Sequence, residues 1–266
     1  MPQYNRRIDI DAASGMSGDK RSAGWRGDEP AYLTSLAIPG APADVRLWRL
    51  ELALRAPLPA DALALLDAGE LARLDRFHRH EDKVRFARTR AALKRLLAGN
   101  DACASIRLAY TSTGRPVWPG GSMQFNVAHS GALALIVISD RRAVGVDVEL
   151  RAEVDVHALS SMVLTPDERA ALRPFAGAAK RDAFYRYWVC KEAALKATGQ
   201  GITQALQRIE VHAGGADAEA RRIRCRGAGQ EDARLLERLE LRLLTLPADY
   251  AGAVAWASGD GDDATG

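Results

Sequence analysis

The sequence of 266 residues predicts an α+β protein built on antiparallel sheet. Three observations carry this. Strand-like and helix-like segments come in runs and do not alternate strictly, which argues against a parallel, doubly wound sheet. The central strand candidates follow one another through short polar turns, as antiparallel neighbours do. Residues 80–98 place Val84, Ala87, Ala91 and Leu97 at helical spacing, the signature of a long helix with one buried face.

The elements follow in order. Residues 1–43 mix Gly, Ser, Asp and Arg without periodicity and are expected to form a disordered or extended leader. Residues 45–54 alternate enough for a strand, with Val45, Leu47 and Leu50 separated by arginines and glutamate. Pro59 and Asp61 open a short helix running to Leu66, and the long helix follows. A short strand is expected at 106–111, then a turn at Gly114, Arg115 and Pro116. Residues 132–139 read as a buried strand from their Leu, Ile and Val content. The polar stretch 140–143 turns the chain, and 144–149 return as the second arm of a hairpin. Helices are expected at 156–164, at 165–172 and at 180–198, the second opened by a Thr165/Glu168 capping box. Strands are expected at 207–212, 239–244 and 250–257, and 258–266 form a flexible polar tail. No internal sequence repeat is visible.

Composition narrows the function classes. Hydrophobic residues make up 47% and charged residues 27%, ordinary for a soluble globular protein, so the core must come from patterning. A formal net charge of +3 is too small to mark a nucleic-acid binder by itself. Cys103, Cys190 and Cys225 lack paired C-x-x-C spacing, which indicates neither a disulfide framework nor a zinc site. The longest apolar run, 132–138, is too short to span a bilayer, and the N-terminus has no apolar targeting core. A cytoplasmic protein with no membrane partner is the expectation.

Chemistry concentrates in three segments. In G-V-D-V-E (145–149), Gly145, Asp147 and Glu149 share one face of a strand, the two carboxylates roughly 7 Å apart at Cα. Two like charges so close need solvent or a cation between them, and Mg2+ takes hard oxygen ligands of this kind. Read alone, the pair also suits a solvated strand face. In the helix 180–198, Trp188, Glu192 and Lys196 fall on one stripe, with Lys191 about a quarter-turn aside. Glu192 and Lys196 also suit a surface i,i+4 pair, and Gly199 suits a C′ glycine ending the helix. In F-N-V-A-H-S (125–130), Asn126, His129 and Ser130 gather hydrogen-bonding groups at the entrance to the buried strand. No G-x-S-x-G elbow or partner carboxylate marks Ser130 as a nucleophile, and His129 suits a donor to phosphate.

Taken in order, these segments resemble the Sfp-type 4′-phosphopantetheinyl transferases. F-N-V-A-H-S resembles that family's F-N-[ILV]-S-H-[ST]. G-V-D-V-E matches its G-[IV]-D-[IV]-E, and W-V-C-K-E-A-A-L-K (188–196) its W-[ST]-x-K-E-[AS]-x-x-K. G-R-P (114–116) is similar to its G-K-P turn, and F-H-R-H-E-D (77–82) to its basic F-x-x-x-x-D region. The resemblance spans roughly residues 45–257.

The resemblance implies two similar α+β halves, a pseudo-dimer divided as 44–140 and 141–257, with coenzyme A in the cleft between them. It implies transfer of the 4′-phosphopantetheine arm of coenzyme A to a serine of an apo acyl or peptidyl carrier protein, releasing adenosine 3′,5′-bisphosphate. Carried over, Asp147, Glu149 and Glu192 would hold Mg2+. Lys191 and Lys196 would face the pyrophosphate. His129, Arg73 and Arg85 would hold the 3′-phosphate and adenosine end. Arg115 replaces the family's lysine, turning a point cation into a planar fork. Glu70 stands where some relatives have lysine and is left out of the site. Glu192 is the candidate general base toward the carrier serine. A monomer is expected.

Two other readings compete. Arg73, Arg76, Arg79, Lys83, Arg85, Arg88, Arg90, Lys94 and Arg95 form a basic run, which a nucleic-acid-binding module would need. Acidic residues interleave with that run, and no nucleic-acid partner is expected. A non-catalytic carrier-protein binder is the second alternative, but it has no use for three carboxylates.

Overall fold

The computed structural model describes residues 32–99, 103–112, 114–199, 206–212, 222–225 and 236–258. In chain order the elements begin with β1 (Leu33–Leu36), β2 (Arg46–Glu51), α1 (Ala60–Leu63), α2 (Ala68–Asp75) and α3 (His80–Ala98). Then come β3 (Ala109–Tyr110), β4 (Pro116–Val117), β5 (Gln124–Ser130), β6 (Leu133–Ser139) and β7 (Val144–Leu150). The chain continues with α4 (Val156–Val163), α5 (Pro166–Ala171), α6 (Gly177–Thr198), β8 (Ile209–His212) and β9 (Arg222–Cys225). It closes on β10 (Leu239–Leu243) and β11 (Tyr250–Ala257). The mixed helices and antiparallel sheets are those the sequence predicted.

A strand that is apolar on both faces needs cover on both, and β6 organises the fold for that reason. It lies inside a four-stranded antiparallel sheet of order β1-β2-β6-β5. Its Leu133, Leu135 and Val137 meet Val144, Val146 and Val148 of β7 and Val254 and Trp256 of β11. Its Ala134, Ile136 and Ile138 meet Ala92, Leu93, Leu96 and Leu97 of α3. The second sheet has order β10-β11-β7, and its outer face packs Ala251, Ala253 and Ala255 beneath α6. The result is four layers: α3, first sheet, second sheet, α6. Each large apolar side chain so buried stabilises the fold by about 1.5–3 kcal/mol.

Several expectations need correcting. Residues 139–144 do not close a hairpin. β6 pairs with β2 and β5, whereas β7 pairs with β11, so the chain changes sheets at 140–143. Ser139 Oγ accepts the amides of Arg141 and Arg142 and donates to Asp44 Oδ2 at 2.6 Å. Arg142 then reaches Asp44 Oδ1 and the Ala257 carbonyl, both at 3.1 Å, tying the crossover to each sheet. The hairpin partner of β6 is β5, a strand where the sequence predicted an entry loop. They are joined by Gly131 and Ala132. Gly131 has φ +54°, and a Cβ there would lie 2.6 Å from the Tyr250 hydroxyl, so the turn requires glycine. Residues 33–36, placed by sequence in a leader, form β1 on the edge of β2. The strand expected at 106–111 shortens to two residues paired with β4. Most of residues 1–43 and all but the first residue of the 258–266 tail lie outside the described residues.

The helices follow prediction more closely. α3 spans the expected 80–98. Thr165 and Glu168 form both bonds of the capping box opening α5. α6 rises from an alanine-rich run and ends at Gly199, whose φ of +75° gives the left-handed stop.

β7 and α6 approach so closely that Gly145 has no room for a side chain. A Cβ there would fall 2.1 Å from the Ala193 carbonyl oxygen and 2.4 Å from the Ala197 amide nitrogen. Gly145→Ala is therefore expected to lower stability by about 1–3 kcal/mol through overpacking. Urea denaturation measures this; an unchanged midpoint would mean that strand and helix separate at no cost.

Candidate functional site

The Gly145 contact sets α6 directly on the polar face of β7, so that face is covered and not solvated. Asp147 is 3% exposed and Glu192 6% exposed. Lys196 Nζ donates to Asp147 Oδ1 at 2.5 Å, while Asp147 Oδ2 is buried without a hydrogen-bond partner. Burial pushes the Asp147 carboxyl up to about 7; Lys196 opposes this, and the charges of Glu149 and Glu192 add to it. Glu149 and Glu192 are also pushed up, by burial first, with Lys196 opposing in both.

β5 contributes from the side. Ser130 Oγ donates to Glu149 Oε2 at 2.9 Å and accepts the Leu150 amide at 3.0 Å. Four residues earlier, Asn126 Oδ1 accepts the Val146 amide at 3.1 Å. These two side chains splice β5 to β7 where no backbone ladder joins them. The segment read as a phosphate-binding loop thus also orients a carboxylate.

Three carboxylates facing one ammonium carry excess negative charge, and all their donor atoms are hard oxygens. With the unpartnered Asp147 Oδ2, this chemistry fits a divalent cation such as Mg2+. Among the described residues, however, no three His, Cys, Asp or Glu side chains form a ready-made ligand cage. Lys196 holds the Asp147 oxygen nearest to it.

A second cluster lies between α3 and β5, around a cavity of about 160 Å3. Arg73, Phe86, Thr89, Arg90, Leu93, Pro116, Val127 and His129 line it. Arg73 sits over the rings of Tyr110 at 5.1 Å and Phe86 at 5.7 Å. His129 is solvent-exposed at the cavity. Partial withdrawal from water holds its pKa below the usual histidine value, and the charges of Arg85 and Lys196 lower it further. Arg85 is not in the cavity lining: it pairs with Asp82 and donates to the Gly131 carbonyl at 3.1 Å, two residues after His129. Arg115 spreads its fork over the carbonyls of Lys196 and Phe125, each at 3.2 Å, and so joins the end of α6 to β5. A lysine would meet them with a single point charge in place of a planar fork with two separate donor nitrogens.

Lys191 is the site residue that the structure moves elsewhere. It is fully buried, pairs with Glu168 Oε2 at 2.5 Å, and donates to the carbonyls of Val163 at 2.8 Å and Leu206 at 2.9 Å. Its ammonium is consumed inside the core, so the expectation that it faces a pyrophosphate is corrected. The sequence reading also passed over Thr89, Phe86 and Tyr110, and counted Arg90 only in the basic run. Their signal was present in α3, where Phe86 and Arg90 are four apart and so share a helix face.

A larger cavity of about 490 Å3 lies by β1 and the β10–β11 connection, lined by Leu36, Pro39, Arg151, Arg186 and Arg242 among others. None of the carboxylates above, nor His129, borders it.

The comparisons with known proteins bear on the same segments. The family described as the 4′-phosphopantetheinyl transferase superfamily matches residues 143–255, which contain Asp147, Glu149, Glu192 and Lys196. The chain is 36% identical over 175 residues to the 4′-phosphopantetheinyl transferase HetI of Nostoc, covering 63% of this chain and 73% of that protein. It is 36% identical over 159 residues to a putative 4′-phosphopantetheinyl transferase of Synechocystis, covering 58% of this chain and 65% of the relative. Among solved structures, a holo-ACP-synthase from Plasmodium yoelii overlaps 44% of this chain with a TM-score of 0.33 and 18% identity. The identity with the Nostoc protein over most of its length, with the matched segment centred on the carboxylate site, establishes that the chain belongs to the 4′-phosphopantetheinyl transferase superfamily.

Proposed function

We propose that the protein transfers the 4′-phosphopantetheine group of coenzyme A to a serine of an apo acyl or peptidyl carrier protein, releasing adenosine 3′,5′-bisphosphate. The observation that carries this is the trio of buried Asp147, half-buried Glu149 and buried Glu192 against Lys196, spliced through Ser130 to the strand bearing His129. Coenzyme A would lie along the β5–β7 seam between two sheet-and-helix halves. His129 and Arg73 would take its phosphorylated nucleoside end, with Arg85 holding the Gly131 turn. Lys196 and Arg115 would stand at the pyrophosphate. Asp147, Glu149 and Glu192 would hold Mg2+, which when bound supplies neutralisation of charge on the departing bisphosphate. Glu192, its pKa raised, takes the proton from the serine hydroxyl. The serine oxygen forms a bond to the phosphorus of the phosphopantetheine, and the bond from that phosphorus to the bridging oxygen breaks.

The basic run of α3 fits this role better than nucleic-acid binding, because much of it is paired internally. Arg88 and Arg95 reach Asp61, Arg85 reaches Asp82, and Lys94 reaches Glu70. Among the described residues no helix is long and apolar enough to cross a membrane. A monomer working in the cytoplasm completes the proposal.

Mass spectrometry of apo carrier proteins incubated with coenzyme A, Mg2+ and this protein tests it. A gain of roughly 340 Da on one serine is expected. No gain on acyl or peptidyl carriers would overturn the reading.

His129 adds a calorimetric prediction. Its lowered pKa leaves it neutral at pH 7 in the free protein, and an arriving phosphate dianion favours the charged ring. Coenzyme A binding at pH 7 is therefore expected to take up a fraction of a proton, a signal that His129→Gln abolishes. Titrations in buffers of different ionisation enthalpy measure it; equal heats in all buffers would exclude this linkage.

A further inference from the structure

The larger cavity, of about 490 Å3, takes no part in the transferase site, yet it has the size usual for small-molecule sites. Its walls come from regular elements. Leu36 ends β1, Leu243 ends β10 and is followed by Leu244, and Arg186 projects from α6. Leu36 and Leu244 pack against the apolar cluster between the sheets, and Leu243 against the cluster beneath α6. All three leucines are only half-buried, so each keeps apolar surface that an aliphatic ligand would remove from water.

The charge around this cavity has one sign. Among the described residues Arg151, Arg186 and Arg242 line it and no carboxylate does. Two of the arginines are engaged from its margins. Arg151 pairs with Asp182 at 3.5 Å, and Arg242 pairs with Glu240 at 3.1 Å and lies over the Trp256 ring. Asp182 stands four residues before Arg186 on α6, where an i,i+4 ion pair would ordinarily form. It faces Arg151 instead, and Arg186 has no hydrogen bond or ion pair among the described residues.

We propose that this cavity binds an aliphatic carboxylate, a single anionic head on a hydrocarbon chain. Arg186 receives the head, because a planar guanidinium matches a carboxylate with two parallel hydrogen bonds. Arg151 and Arg242 add positive charge around it, and the chain covers Leu36, Leu243 and Leu244. A head without a chain leaves the leucines wet, and a chain without a head leaves Arg186 unmatched. The site adjoins the carboxylate trio without sharing it: Ala251 lines the cavity and is the ladder partner of Glu149, which does not. The assignment is independent of the transferase reading.

Isothermal titration of the full chain with octanoate, octanol and acetate tests the proposal. One octanoate per chain is expected, bound about tenfold or more tightly than octanol, with no measurable heat from acetate. Arg186 is exposed and has no partner to lose, so Arg186→Gln leaves the fold intact. It is expected to weaken octanoate by about tenfold and to leave octanol unchanged. Equal affinity for octanoate and octanol would reduce the cavity to an apolar groove and overturn the assignment. Octanoate binding that Arg186→Gln leaves intact, uptake of several molecules per chain, or no binding at all would overturn it too. The same octanoate affinity is expected with excess coenzyme A present. Displacement by coenzyme A would put octanoate in the transferase cleft, and the cavity would lose its ligand.

Discussion

Glu192→Gln is expected to lower the rate of carrier modification by about 10²–10⁴-fold, the range for losing a positioned general base. The substitution keeps size and shape at a residue only 6% exposed, so the loss is chemical and not structural. Glu192 is pushed above the usual glutamate range by burial and then by the charge of Glu149, with Lys196 opposing. A carboxylate so placed binds a proton more strongly than one in water, which is what a serine hydroxyl requires of its base. Stability provides a second readout. Removing one of three mutually repelling carboxylates leaves the free protein as stable as wild type or more so. Stabilisation by Mg2+, about 2.7 kcal/mol when the ion stands at a hundredfold excess over its dissociation constant, is expected to shrink in the variant. Initial rates by mass spectrometry at saturating Mg2+, with thermal melts over a Mg2+ series, measure both. Wild-type turnover in Glu192→Gln would remove this residue from the reaction.

The sequence disclosed the site's members better than their surroundings. Alternation along 144–149 placed Gly145, Asp147 and Glu149 together, and β7 keeps them on one face. What covers that face is a tertiary matter: α6 lands there because Gly145, Ala193 and Ala197 all lack bulk, a match between segments nearly fifty residues apart. The strand at 125–130 was hidden for a similar reason. Asn126 and Ser130 look like loop residues, yet their side chains serve as bonds between sheets. The false hairpin at 139–144 came from reading a short polar turn as a ladder connection. The turn instead passes from one sheet to the next around Asp44, a partner ninety-odd residues away that no local pattern announces.

Lys191→Ala is expected to cost about 3–5 kcal/mol of stability, because it strands a buried carboxylate. Glu168 is 3% exposed and accepts from Lys191, from the Thr165 amide at 2.8 Å and from the Val211 amide at 2.8 Å. Without the ammonium, its charge has only neutral donors in a poorly hydrated interior. The spacing in α6 already hinted at this: Phe184, Tyr187, Lys191 and Leu195 follow at three, four and four residues, an apolar stripe with one lysine in it. Lys191→Met with Glu168→Gln removes both charges together and is expected to recover much of the loss, as replacement of a buried pair by uncharged groups often does. The measurement separates two roles for the lysine. A core role predicts a lower unfolding midpoint, with the coenzyme A affinity of the folded fraction unchanged. A pyrophosphate role predicts the reverse: weaker coenzyme A binding at an unaltered midpoint. Three bonds from Lys191 Nζ into the interior, at 2.5, 2.8 and 2.9 Å, favour the first.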